Sequence, residues 1–244
     1  MDEGALTYMK RSSLDAELVN QQQAAYRAAM RSSGAFVIDL PADDRFPDST
    51  FVEDVLLAFP ECFVLCRPGT LSREGEPELV VQHLPNDRPV MQIEAPATLD
   101  GGDVLQIGRE VYVGLSSRTN GIAVVKLGEM LTRYGYSVTP IRVTGALHLK
   151  TAITAPLPDV ILANPAWVDL APFTNRRIVE CDASEPFAGN TLTVGPQRYM
   201  QTTHSGTAAR LRAAGVNVEL LDISEFSNLE AGVTCMSVVV PQSS

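Results

Sequence analysis

Nothing in the 244-residue sequence approaches the roughly 18 consecutive apolar residues of a membrane-spanning helix, so no such span is expected. The opening Met1-Asp2-Glu3-Gly4 lacks the basic start and apolar core of a secretory leader. Cysteine is scarce as well. Four of them in this length cannot build a disulfide framework. Cys62 and Cys66 come nearest to a zinc spacing, but they lie in a strand-like apolar run with no second pair of ligands, so no metal is expected. These absences together predict a reduced, cytoplasmic chain. Positive charge is also short. With 19 Lys and Arg against 29 Asp and Glu, a net charge of −10 excludes a sequence-independent nucleic-acid binder. It suits a cationic small substrate, and it equally serves solubility alone.

What is present is a repeat. Leu14 to Arg31 reads as a helix with Ala16, Val19, Ala24 and Ala28 near one face, stopped by Gly34. Ala35 to Leu40 reads as a strand. Val55 to Phe59 and Cys62 to Cys66 read as a hairpin pair, and residues 68–88 as a surface loop. Asp103 to Gly108 and Glu110 to Gly114 then form two strands joined by a turn. The helix Ile122 to Arg133, Gly135, and the strand Ser137 to Val143 follow. The same order returns at Asn190 to Gly195, the helix Thr207 to Ala214, Gly215, and the strand Val216 to Leu221. A partly decayed copy is expected in Thr151 to Asp169. The unit is strand, strand, helix, glycine, strand. In three copies it leads to a group with chemistry: Glu53 and Asp54, then His148, then Cys235. Delivery of chemistry to the same point of each unit predicts an α/β fold of ββαβ units arranged around a central site, in one domain spanning 1–244.

Cys235 sits in Gly232-Val-Thr-Cys-Met-Ser-Val-Val-Val240, read as a strand with the cysteine at its start. It is either a small buried hydrophobe or a nucleophile. A cysteine nucleophile needs an acid–base partner, and the chain has only three histidines. His83 lies in a charged loop and reads as solvated. His204 falls where the previous copy has Arg118, with no role assigned. His148 stands between two leucines, where a hydrogen-bonded core histidine is the common case, and only the repeat lifts it. The acids say more. Asp48, Glu53 and Asp54 lie in an apolar frame of Phe46, Phe51, Val52 and Val55. Acids there either reach solvent at a strand end or hold a cation, for which a planar guanidinium is well suited. Leu99-Asp-Gly-Gly-Asp103 adds two more acids around paired glycines, as a simple hairpin turn or as a site of close backbone approach.

Four segments carry a resemblance: FPDSTFVED, TLDGGDVLQIGREVYVGLSSRTN, LHLK and GVTCMS, in that order along nearly the whole chain. They resemble the dimethylarginine dimethylaminohydrolase family of the guanidine-modifying superfamily, which also holds arginine deiminase and the amidinotransferases. The resemblance implies a five-bladed α/β propeller of ββαβ units. It implies Cys235 as nucleophile, His148 as general acid and base, and Asp100 as the carboxylate orienting the histidine. Glu53 and Asp54 would take the substrate guanidinium, Asp48 the α-amine, and Arg73 and Arg118 the carboxylate. Leu6 would belong to a lid. The family has a further strand and turn before that lid, and five residues precede Leu6 here, so either the first blade lacks its outer strand or the sequence starts internally, and a loosely anchored lid is expected.

The implied reaction is hydrolysis of Nω-methylated arginine to citrulline through a Cys235 thiouronium, with no cofactor. The partner expected is therefore a small molecule, neither nucleic acid nor membrane. The sequence admits a homodimer without specifying one. An arginine deiminase or other guanidine hydrolase is the alternative within the class. A non-catalytic binder of cationic amino acids is the alternative outside it.

Overall fold

A computed structural model describes residues 14–243. Asp15 caps the first helix, α1 (Ala16–Ser32), its carboxylate accepting the N–H groups of Glu17 and Leu18. The buried face of α1 is Val19, Gln22, Tyr26 and Met30, rotated about the helix axis from the alanine face expected above and sharing only Val19 with it. Two large side chains, Tyr26 and Met30, decide the face, because burying them removes more apolar area than burying alanines. Residues 35–40 form no strand, and Phe36 is 92% exposed.

Twelve strands follow: β1 (Leu56–Ala58), β2 (Phe63–Leu65), β3 (Val90–Gln92), β4 (Val104–Ile107), β5 (Glu110–Leu115), β6 (Ser137–Arg142), β7 (Ile153–Leu157), β8 (Val160–Ala163), β9 (Arg177–Glu180), β10 (Leu192–Val194), β11 (Gln197–Gln201) and β12 (Glu219–Leu221). The helices among them are α2 (Glu76–Val81), α3 (Gly121–Leu131), α4 (Leu149–Ala152), α5 (Ser205–Ala213) and α6 (Ser224–Ser227). Among the described residues the strands make four three-stranded sheets of one design. The first two strands pair antiparallel and the third pairs parallel to the second, as in Leu105↔Tyr112 with Tyr112↔Thr139. The repeat is thus present as four like units. The copy expected to be decayed is a full sheet, β7-β8-β9, whose crossover carries the 3-10 turn Ala171–Phe173 in place of a long helix. Gly135 and Gly215 take φ of +78° and +80° after α3 and α5, a conformation only glycine adopts without strain.

The described chain divides into two compact units, residues 14–39 with 150–234, and residues 40–149 with 235–243. In the second, β1 and β2 are buried on both faces. Leu57 and Val64 pack into a core with Val111, Val113, Leu127 and Leu131, while Leu56, Phe63 and Leu65 pack with Val55 and Val80. That two-sided burial explains a continuous apolar run where alternation would mark a half-exposed strand. In the first unit, Leu162 and Met200 pack against Ala208 and Leu211 of α5.

Two further expectations change. Residues 68–88 are no plain surface loop, since they hold the 3-10 turn Leu71–Arg73 and α2, with Arg73, Glu76 and Val80 buried. Cys235 lies in a turn, not at the start of a strand. The β-branched residues around it carry strand propensity, a weak prior on its own, and none of the described strands pairs with them.

Candidate active site

Residues 40–149 and 235–243 gather nearly all the acids, arginines and the histidine singled out above, together with Cys235. A 3-10 turn, Val52–Val55, places Glu53 and Asp54 just before β1 and buries both. The Glu53 N–H donates to the Cys235 carbonyl at 3.2 Å, so the turn that carries the acids also tethers the cysteine. Asp54 is charged and held: Oδ2 accepts from Arg73 Nη1 at 2.6 Å, and Oδ1 accepts from the Gly102 N–H at 3.0 Å.

The Leu99-Asp-Gly-Gly-Asp103 stretch forms a second 3-10 turn, Gly101–Asp103, leading into β4. Both glycines are required by close approach. A Cβ at Gly101 would lie 2.0 Å from the Glu53 carbonyl oxygen, and one at Gly102 would lie 2.7 Å from His148 Nδ1. Asp100 is fully buried; Oδ1 accepts the Gly69 N–H at 2.8 Å and Oδ2 lies 3.0 Å from His148 Nε2. His148, just before α4, is thereby set between two carboxylates, with Nδ1 3.8 Å from Asp54 Oδ1.

Burial disfavours a charged imidazole, but the charge of Asp54, the Asp100 hydrogen bond and the charge of Asp103 outweigh it and raise His148 to about 9. The ring is an imidazolium near neutral pH, able to donate a proton. Burial works against ionised Asp54 too, and the cationic His148 and Arg73 pull it below the usual carboxylate range. The other thiols are poor nucleophiles. Burial pushes Cys62 up to about 11 and Cys181 to about 12, and Cys66 is 1% exposed, whereas Cys235 is half-buried.

The two arginines differ. Arg73 is engaged throughout: Nε on both Glu76 oxygens, Nη1 on Asp54, and Nη2 on Glu76 and the carbonyls of Asp48 and Phe51. In this state its charge holds Asp54 in place. Arg118 is equally buried, and its guanidinium has no ion-pair or hydrogen-bond partner among the described residues. A cation in that position is suited to receive an anion. Asp48 is buried beside the Arg73 group, and Leu6 lies outside the described residues. His204 belongs to the other unit and precedes α5; His83 is not simply solvated, since its Nε2 is buried without a hydrogen-bond partner.

Asp54, Asp100 and His148 present donor atoms within 4.8 Å of one another, close enough for a metal by distance alone. Arg73 already neutralises Asp54, and Asp100 holds the His148 ring, so these donors serve cations of the protein itself. Sequence reasoning passed over Glu76, Ser116 and Thr119. The only signal for Glu76 is its i,i+3 spacing to Arg73.

No protein-family model matches the chain. It is 33% identical over 220 residues to an N(G),N(G)-dimethylarginine dimethylaminohydrolase of Pseudomonas aeruginosa, covering 89% of this chain and 87% of that one. It is 34% identical over 239 residues to the enzyme of the same name from Streptomyces coelicolor, covering 97% and 91%. The structure of a cysteine-to-serine variant of the Pseudomonas aeruginosa enzyme, complexed with citrulline, superposes with a TM-score of 0.89 at 32% identity, covering 96% of this chain and 92% of that one. The chain belongs to the dimethylarginine dimethylaminohydrolase family.

Proposed function

We propose that the protein hydrolyses Nω-methylated arginine to citrulline and methylamine or dimethylamine. The observation that carries this is the protonated His148 held between buried Asp100 and Asp54, in the unit whose Glu53 amide tethers Cys235. Glu53 and Asp54 hold the substrate guanidinium and Arg118 takes its carboxylate; Arg73, bound to Asp54 and Glu76 here, becomes the second clamp member by exchanging those contacts for the substrate, and Asp48 lies toward the α-amine.

The Cys235 thiolate attacks the guanidinium carbon and forms a carbon–sulfur bond. The imidazolium of His148 gives its proton to the departing amine, and the carbon–nitrogen bond breaks, leaving a thiouronium. The amine carries the proton away, so His148 is now neutral. It takes a proton from water, the hydroxide adds to the same carbon, and the carbon–sulfur bond breaks as the added hydroxyl gives its proton to solvent, releasing citrulline and thiolate. Asp100 keeps the ring in line through both steps. The residues alone supply this chemistry. The common design of the four sheets supports reading 1–244 as one catalytic domain of repeated units, five with the N-terminal one, as in an α/β propeller.

Citrulline formation from arginine, monomethylarginine and the asymmetric and symmetric dimethylarginines, measured side by side, tests the reading. Turnover of the methylated substrates, lost in Cys235→Ser, is expected. Turnover of arginine alone would make the protein a deiminase, and binding without turnover would make it a carrier.

A further inference from the structure

The second acid of the Asp100 turn has no part in the reaction just described, yet it is as deeply buried as the first. Asp103 is 0% exposed at the start of β4. Its Oδ1 accepts the N–H of Leu149 at 2.9 Å, the peptide that immediately follows His148. Its Oδ2 accepts the Ser116 hydroxyl at 2.6 Å. Ser116 Oγ accepts the N–H groups of Arg118 and Thr119 at 3.0 and 3.3 Å, so its own proton is directed at Asp103. Gly114 on β5 leaves room for this. A Cβ there would lie 2.7 Å from Asp103 Oδ1 and 2.8 Å from Leu149 Cβ. A buried carboxylate needs this many donors to be tolerated. What it gains for the protein is a fixed link from β4 to the residue after the acid–base histidine.

We propose that Asp103 is a positioning residue for His148: it anchors the Leu149 peptide so that the imidazole meets Asp100, and its negative charge adds to the field that keeps the ring protonated. The inference rests on His148 acting as the acid and base. The groups facing the ring are Asp54, Asp100 and Asp103, with Arg73 behind Asp54. Asp103 is the one among the three acids that bonds the backbone beside the ring. Burial holds its own ionisation back to about 6, so it is charged at neutral pH. Ser116 joins it to the Arg118 segment, which places the acid–base group and the anion-ready arginine on one hydrogen-bonded frame.

Two comparisons test this. Asp103→Ala removes anchor and charge. Asp103→Asn keeps the Leu149 acceptor but turns an amide N–H toward a hydroxyl that already accepts two others, so it is made with Ser116→Ala and compared with Ser116→Ala alone. The readouts are kcat and KM across pH, and the His148 titration by NMR, readily assigned in a chain with three histidines. Asp103→Ala is expected to lower kcat by about 100-fold with KM little changed, the scale of a compromised acid–base group, and to lower the His148 midpoint. The Asn pair is expected to keep most of its turnover and to show the lower midpoint. Unchanged kcat and midpoint in Asp103→Ala would overturn the proposal. If that variant does not fold, an unchanged midpoint in the Asn pair overturns it alone. If the unaltered protein makes no citrulline, the hydrolase reading fails, while the NMR titration still decides whether Asp103 sets His148.

Discussion

Gly102→Ala adds one methyl group against His148 and Asp54. The new Cβ would lie 2.7 Å from His148 Nδ1, 2.8 Å from its Cγ and 2.8 Å from Asp54 Oδ1, where ordinary contact begins at 3.4 Å. Something must yield by about 0.7 Å. Neither neighbour is the loose end of a flexible chain. The ring is held by Asp100 and the carboxylate by Arg73. Gly102 has no positive φ, so the backbone accepts alanine and the effect reports the contact alone. Overpacking of this kind costs about 1–3 kcal/mol of stability. A reacting group displaced toward 1 Å costs about 100-fold in rate. Citrulline formation and thermal melting should therefore separate, with kcat falling by about two orders of magnitude in a protein that still folds. Gly121→Ala is the control, because nothing lies within 4 Å of its Cβ. A folded Gly102→Ala with the kcat of the unaltered protein would refute the reasoning, since the imidazole would then tolerate a shift that this packing forbids.

Arg118→Ala should raise KM by about 10- to 100-fold, the loss of a charge-assisted contact of about 1.5–3 kcal/mol, with kcat little changed; an unaltered KM would remove Arg118 from carboxylate binding. Melting temperature should fall as pH rises from 6.5 to about 9, because His148 titrates at about 9 when folded and near 6.5 when unfolded, so its stabilisation is full below 6.5 and lost above. Asp103, raised to about 6, makes stability fall with rising pH only below that window, and the slope above 6.5 should flatten in His148→Asn. Gly128→Ala, in the middle of α3 with a Cβ contact no closer than 3.9 Å, should stabilise by about 0.5–1 kcal/mol and raise the melting temperature without changing turnover.

The elements legible in the sequence were those whose burial is purely apolar. The hairpin of β4 and β5, helix α3 and its glycine stop all lie where side-chain periodicity alone decides the structure. The stretch 68–88 was not legible because its burial rests on ions. Arg73 and Glu76 read as surface charge until Asp54, distant in sequence, pairs with the arginine. Cys235 misled for a different reason: its valines have strand propensity, and propensity is a weak prior where none of the described strands pairs with them. The site residues themselves were legible as motifs. What no motif states is the division of labour between the two aspartates of Leu99-Asp-Gly-Gly-Asp103. One faces the ring of His148 and the other the peptide after it, a distinction of about one residue's reach.

Cys235 joins its unit across an excursion, since residues 150–234 belong elsewhere and 235–243 return. During synthesis, at about 5–20 residues per second, the ribosome therefore releases the acids, Arg73, Arg118 and His148 well before the thiol. A chain terminated anywhere in 150–234 lacks Cys235, so under the mechanism proposed above translation errors in that stretch yield an inert product.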